Sequence, residues 1–178
     1  MIKNIVTLGG SSSKTSINKM LAEYTGNLLK GVELTKVDLN DFEIPLFSVD
    51  VEKEQGYSKG VKDLNEIFEK ADGFVVSLAE HNGAYSAAFK NAYDWISRIE
   101  GNVWRNKPML LLSASPGALG GKFVMEIATN KFPRMGAKIV SSMSFPSFYD
   151  NFSEGDIVNS ELKSKLLKLV DDFEKALL

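Results

Sequence analysis

Short apolar runs of strand length alternate along the chain with stretches whose apolar positions recur every three or four residues. Ile5, Val6 and Leu8 read as a buried strand, and Ile17, Met20, Leu21, Tyr24 and Leu28 follow at helical spacing. Val32 to Leu39 reads as a second strand, with Val32, Leu34 and Val37 apolar. A loop containing Pro45 and the charged stretch Asp50 to Gln55 leads to a helix carrying Val61, Leu64, Ile67, Phe68 and Ala71. Gly73 to Leu78 is apolar enough for a central strand, and the helix after it carries Phe89, Ala92, Tyr93 and Ile96 on one face. Met109 to Leu112 makes a fourth strand after Pro108, followed by a helix from about Gly121 to Arg134. Ala137 to Val140 is the expected fifth strand, and Val158 to Leu177 closes the chain with Leu162, Leu166, Leu169, Phe173 and Leu177 in helical register. Five strand–helix units predict an α/β fold: a doubly wound, five-stranded parallel sheet of order 2-1-3-4-5 with helices on both faces. A length of 178 residues suits one such domain, 1–178.

That topology predicts where a ligand binds. The crevice lies outside the carboxyl ends of the strands where the strand order reverses, so the loops after strands 1, 3 and 4 should form one site. The first of these, Gly9-Gly10-Ser11-Ser12-Ser13-Lys14-Thr15-Ser16-Ile17-Asn18, turns from strand into helix and is crowded with hydroxyls. A helix N-terminus offers N–H groups without intrahelical partners and partial positive charge, which together suit a phosphate. A plain Ser/Thr helix cap explains the same residues equally well at this point. A Walker A loop would need glycines where Leu8 and Ser13 stand, and the G-x-G-x-x-G fingerprint lacks its third glycine at Lys14. What remains suits one terminal phosphate rather than a pyrophosphate, and makes flavin mononucleotide (FMN) the leading candidate ligand.

Composition narrows the chemistry. A net charge of −2 without a basic cluster gives no reason to expect nucleic acid. No apolar run is long enough to span a bilayer and no signal peptide is recognisable, so no membrane partner and a cytoplasmic setting are expected. With no cysteine, thiolate catalysis and thiolate-bound metal are excluded, and the single histidine, His81, makes a histidine-built metal site implausible. Hard chemistry would then belong to a cofactor.

The loop after strand 3 reads Ala79-Glu80-His81-Asn82-Gly83-Ala84-Tyr85-Ser86, and that after strand 4 reads Ser113-Ala114-Ser115-Pro116-Gly117-Ala118-Leu119-Gly120-Gly121. Each joins small residues to polar ones, as a flat heterocycle between them would require. Here the sequence resembles the NADPH-dependent FMN reductase family, the flavodoxin-like group that includes quinone, azo-dye and chromate reductases. Gly10, Ser11, Ser16 and Asn18 match its G-S-x-R-x-x-S-x-N segment. Glu80, Asn82 and Gly83, then Lys90-Asn91-Ala92-Tyr93-Asp94-Trp95, match its P-E-Y-N-G and K-N-A-x-D-W segments. Ser113, Ser115, Pro116, Gly117, Gly120 and Gly121 match its S-x-S-P-G-x-x-G-G segment. The resemblance implies that Ser11, Ser16 and Asn18 bind the FMN phosphate, with Ser13, Lys14 and Thr15 beside them in the loop. It implies that Glu80, His81, Asn82 and Gly83 lie along the isoalloxazine and that Ser115, Pro116 and Gly117 close the other side. Ser13 stands where the family has arginine, leaving Lys14 as the nearest cation, and His81 stands where it has tyrosine.

The implied activity is an FMN-dependent NAD(P)H oxidoreductase. Hydride passes from nicotinamide to flavin N5 and the electrons then go to a quinone, free flavin or similar soluble acceptor, so the protein supplies position and dipoles rather than a catalytic residue. The resemblance also implies a homodimer or homotetramer. An electron-carrying flavodoxin is the alternative, against which stand a loop that is not threonine-rich and a charge of only −2. A nucleotide-binding module without redox activity is disfavoured by the failed motifs. Other residues keep plain readings beside functional ones. Glu80 is an acid or an anchor of its own loop, and His81 a proton donor or a ring flanking the flavin. Lys90 and Asp94 suit a surface ion pair one helical turn apart. Trp95 reads as core or subunit contact, Trp104 as a cover for the flavin or a neighbouring subunit. The aromatic segment Phe145 to Phe152 reads as an acceptor pocket or as packing against the sheet or a second subunit.

Overall fold

The structure, a computed structural model, describes residues 2–178. Its elements run β1 (Lys3–Gly10), α1 (Ile17–Asn27), β2 (Val32–Val37), α2 (Val49–Gln55), α3 (Lys59–Glu69), β3 (Gly73–His81), β4 (Ala84–Tyr85), α4 (Ala87–Ile99), β5 (Lys107–Ala114), α5 (Lys122–Lys131), β6 (Ala137–Phe145), α6 (Phe148–Asn151), β7 (Phe152–Ser153), β8 (Asp156–Ile157) and α7 (Ser160–Ala176). The sheet order is β2-β1-β3-β5-β6, all parallel, which is the expected 2-1-3-4-5. Short β4 returns antiparallel on the end of β3.

Side-chain alternation along the central strands feeds two cores. Val6, Leu8, Phe74, Val76, Leu78, Met109 and Leu111 face one layer with Leu64, Phe68, Phe89, Tyr93, Ile96 and Val124 of α3, α4 and α5. Ile5, Val75, Leu110 and Leu112 face the other with Leu21 of α1 and Leu166, Val170 and Phe173 of α7.

Several boundaries differ from the sequence expectation. The charged stretch 50–55 is not loop but α2, capped by Ser48 with Asp50 and Glu52 in its first turn, where the helix dipole favours acids. The expected loop at 79–86 is a tight hairpin. Strand β3 continues to His81, and Asn82 (φ 53°) and Gly83 (φ 75°) make a two-residue turn of the kind that demands left-handed backbone. Strand β6 runs to Phe145, five residues beyond Val140; Ser142 and Ser144 alternate with the buried Met143 and Phe145 at the sheet edge, so its second half carries no continuous apolar run. The helix expected to reach Arg134 ends at Lys131, with Pro133 inside a following 3₁₀ turn.

Trp104 is neither a flavin cover nor a subunit contact. It is fully buried, with ring centroids of Phe132, Phe74 and Phe68 at 4.7, 5.2 and 5.5 Å. Trp95 is buried too, its indole N–H donating to the Pro45 carbonyl at 2.7 Å. Lys90 and Asp94 form the expected surface pair at 2.7 Å. Trp104→Ala should leave a cavity that rigid neighbours cannot close and cost about 3–5 kcal/mol, read as a lowered urea midpoint at unchanged m value.

Candidate functional site

Helix α1 is seated unusually close to the sheet. A Cβ on Gly9 of β1 would lie 2.5 Å from the Lys19 backbone nitrogen, and one on Gly26 of α1 would lie 2.5 Å from the Thr7 methyl. The absence of side chains at both points lets helix and strand touch. Asn18 locks the contact. Its side-chain oxygen accepts from Ser77 Oγ (2.7 Å) and from the Ala114 N–H (2.9 Å), and its Nδ2 donates to the Ala114 carbonyl (3.0 Å). One amide therefore ties the first turn of α1 to β3 and β5 together.

This brings the helix N-terminus to the carboxyl ends of β1, β3 and β5, around a cleft of about 200 Å³. Ser11, Ser13, Thr15, Ser16 and Asn18 line it from the first loop, Glu80 and His81 from the second, and Ser115 and Pro116 from the third. The N–H groups of Ile17 and Asn18, the first two of α1, have no intrahelical acceptor, whereas that of Lys19 is taken by Ser16 Oγ at 3.1 Å. Ser16 is thus the helix cap, and its hydroxyl hydrogen remains available to a ligand. No lysine or arginine lines the cleft. Lys19, in the same first turn, points away into an ion pair with Asp38. Burial pushes the Asp38 carboxyl up, but the hydrogen bonds from Lys19 and Asn40 outweigh it and hold the group below its ordinary range.

The second loop is braced from below. Ser86 caps α4 by accepting from the Phe89 N–H (3.2 Å) and donates to the Gly10 carbonyl (2.8 Å), joining hairpin and first loop. Glu80 Oε2 accepts the Val124 N–H at 2.9 Å, supplying to α5 the cap that Gly121, at the N-cap position, has no side chain to give. Glu80 is therefore an anchor rather than an acid poised over the cleft. The third loop is held by Ser113, which is buried and donates to the Gly120 carbonyl at 2.8 Å.

Four expected site residues stand apart from the lining. Lys14 is exposed at the centre of the turn that the Ser16 N–H closes onto the Ser13 carbonyl (3.1 Å), and it does not line the cleft. Asn82 and Gly83 form the hairpin tip, and Gly83 faces Phe123 and Ile127 of α5 instead of the cleft. The Gly117 carbonyl accepts from Ser115 Oγ (3.2 Å) and the N–H groups of Gly120 (3.2 Å) and Ser147 (2.9 Å), so this residue shapes the loop. Asn18 borders the cleft with its side-chain oxygen committed to the sheet and one of its two amide hydrogens given to the Ala114 carbonyl. Sequence reading missed Tyr149, which lines the cleft from α6. Its presence among the aromatics of 145–152 was the available signal, but only the fold separates it from Phe145 and Phe148, both buried in the core.

A larger cleft of about 580 Å³ lies at the opposite end of the sheet, between Lys3 and Val32 at the starts of β1 and β2 and the C-terminal turn of α7. It presents a helix carboxyl end and mixed surface charges, without convergent donors, and is the weaker candidate despite its size. Asn18→Ala should cost about 3 kcal/mol or more in urea unfolding, because it strands the buried Ala114 N–H and Ser77 hydroxyl; a loss under 1 kcal/mol would show that α1 is held otherwise.

Among the described residues no helix is long and apolar enough to cross a membrane. A family model described as NADPH-dependent FMN reductase matches residues 3–150. A quinone reductase from Escherichia coli is 35% identical over 117 residues, covering 66% of this chain and 62% of its own length. The match thus spans about three fifths of that relative. A 2-hydroxy-1,4-benzoquinone reductase from a Burkholderia species is 27% identical over 182 residues, covering 97% and 95% of the two chains. Among solved structures, a flavoenzyme NAD(P)H:(acceptor) oxidoreductase from Paracoccus denitrificans superposes with a TM-score of 0.79 at 24% identity, over 99% of this chain and 97% of that one, a likeness that shows the fold. The match over residues 3–150, which takes in all three loops of the cleft, establishes that the chain belongs to the NADPH-dependent FMN reductase family.

Proposed function

We propose that the protein is an FMN-dependent NAD(P)H oxidoreductase that reduces quinones or similar small soluble acceptors. The observation that carries this is the donor set of the cleft: hydroxyls of Ser11, Ser13, Thr15 and Ser16 and two free N–H groups at the start of α1, gathered at the switch point of the sheet. Such neutral donors suit a phosphate oxygen without an ionic partner. Ser115 and Pro116 after β5 and Ala79 and His81 at the end of β3 line the same cleft, and their small or flat side chains suit a planar ring. FMN bound there supplies two-electron transfer from reduced nicotinamide to the acceptor. The chain's part is positional: α1 holds the phosphate end, and the two braced loops fix the ring edges. The Escherichia coli quinone reductase and the Burkholderia 2-hydroxy-1,4-benzoquinone reductase support a quinone as acceptor. A cytoplasmic setting, where reduced nicotinamide is supplied, goes with this activity.

The cleft is smaller than a typical cofactor pocket, so a bound flavin would overhang the protein surface. Phe123 and Ile127, one turn apart on α5, are exposed beside the Gly83 turn, with Leu119 exposed just before the helix. A second copy covering this apolar strip would account for it, and the reading accordingly includes a homodimer, or a tetramer built from dimers.

The purified protein should bind FMN, and its flavin absorption should bleach on anaerobic addition of NADPH or NADH and return when a benzoquinone is added. A flavin band that persists with both nucleotides would leave an electron carrier instead, and failure to bind FMN at all would sink the flavin reading. Phe123→Glu, at a site exposed in the single chain, should convert the sedimenting species from dimer to monomer; a monomeric wild-type protein at micromolar concentration would overturn the quaternary reading.

A further inference from the structure

Tyr149 meets the core ring of Phe148 edge-on at 5.8 Å but stays largely outside the core. It is 69% exposed, although its neighbours Phe145 and Phe148 are in the core. Its backbone is nonetheless firmly placed. The N–H of Ser147, a residue in the left-handed region at φ 44°, donates to the Gly117 carbonyl at 2.9 Å, and the Phe148 N–H donates to the Ser115 carbonyl at 3.1 Å. The Phe148 ring stacks on Phe152 at 4.8 Å, and Phe152 meets Tyr24 of α1 edge-on at 5.4 Å. Tyr24 donates to Asp156 at 2.6 Å, fastening the β7–β8 hairpin to the same helix. The segment carrying Tyr149 is thus bound to the third loop on one side and to α1 on the other. Tyr149 lines the same cleft as Ser13, Thr15 and Ser16.

An exposed phenol held at the border of an anion site has two uses. Its hydroxyl is one more neutral donor, of the same kind as the serine and threonine set, in a cleft that no lysine or arginine lines. Its ring is a rigid wall, with few rotamers to immobilise on binding. Resting on the flavin reading above, we infer that Tyr149 closes the phosphate end of the cleft: its hydroxyl donates to a phosphate oxygen and its ring leaves no passage for a second phosphate. It is the specificity-determining residue that makes the site accept a flavin mononucleotide and refuse the dinucleotide.

The test measures dissociation constants of the full chain for riboflavin, FMN and FAD by quenching of flavin fluorescence, with far-UV circular dichroism melts as the control on folding. Tyr149→Phe should weaken FMN about tenfold and leave riboflavin unchanged, because only the donor to the phosphate is lost. Tyr149→Ala should lose the same tenfold and also shrink the FMN-over-FAD preference by about tenfold or more, because the wall is gone. The substituted side chain is mostly exposed, so both variants should melt with the wild type. Wild-type affinities and an unchanged FMN-to-FAD ratio in Tyr149→Ala would overturn the inference while leaving the flavin reading intact. A wild-type protein that binds none of the three flavins would overturn both.

Discussion

The Asn18 amide, bonded at once to Ser77 of β3 and to both backbone groups of Ala114 at the end of β5, fixes where the first turn of α1 sits. Everything at the cleft follows from that seating. Gly9 and Gly26 permit the approach by having no side chain, but they do not choose a register, since an apolar contact is non-directional. Hydrogen bonds are directional, and three of them on a buried side chain select one position of the helix along and across the sheet. The N-terminus of α1 is then pinned to the carboxyl edge of the central strands, with its unpaired N–H groups facing the loops that follow β1, β3 and β5.

Those loops are stabilised by groups that also serve structure. Ser16 caps α1, Ser86 caps α4 and ties to Gly10, Glu80 caps α5, and Ser113 draws back the loop after β5. Each is a polar side chain that would be costly to bury unpaired, and each is paired with a backbone group of its own helix or of a neighbouring segment. The cleft is therefore a set of helix caps and loop braces with a few donors left over. Under the proposed flavin chemistry catalytic side chains are not needed, and the rigid placement of neutral dipoles is what the protein can contribute.

The electrostatics of the cleft depart from an ionic phosphate site. Lys14 is directed to solvent and Lys19 is held by Asp38, so attraction rests on the α1 dipole, hydroxyls and N–H groups. Such an arrangement avoids burying a cation that would need its own partner when the ligand is absent.

The sequence by itself determined the sheet order, the two apolar layers and the three loops that meet, because period-2 and period-3.6 patterns are imposed by which face is buried and survive without knowledge of any partner. It was equally sufficient for the Lys90–Asp94 pair, a contact within one helical turn. Only the tertiary structure decided the duties of individual polar residues. Asn18 clamps α1 to β3 and β5, Glu80 caps a helix more than forty residues away, and Trp104 fills the core, since the partners of each come from other elements. The edge strand β6 was half hidden because serines alternate with its inward residues, and Tyr149 was hidden because an aromatic run does not say which ring faces inward. Hydrophobic burial is written in spacing, whereas a hydrogen bond between distant segments exists only once the chain has brought them together.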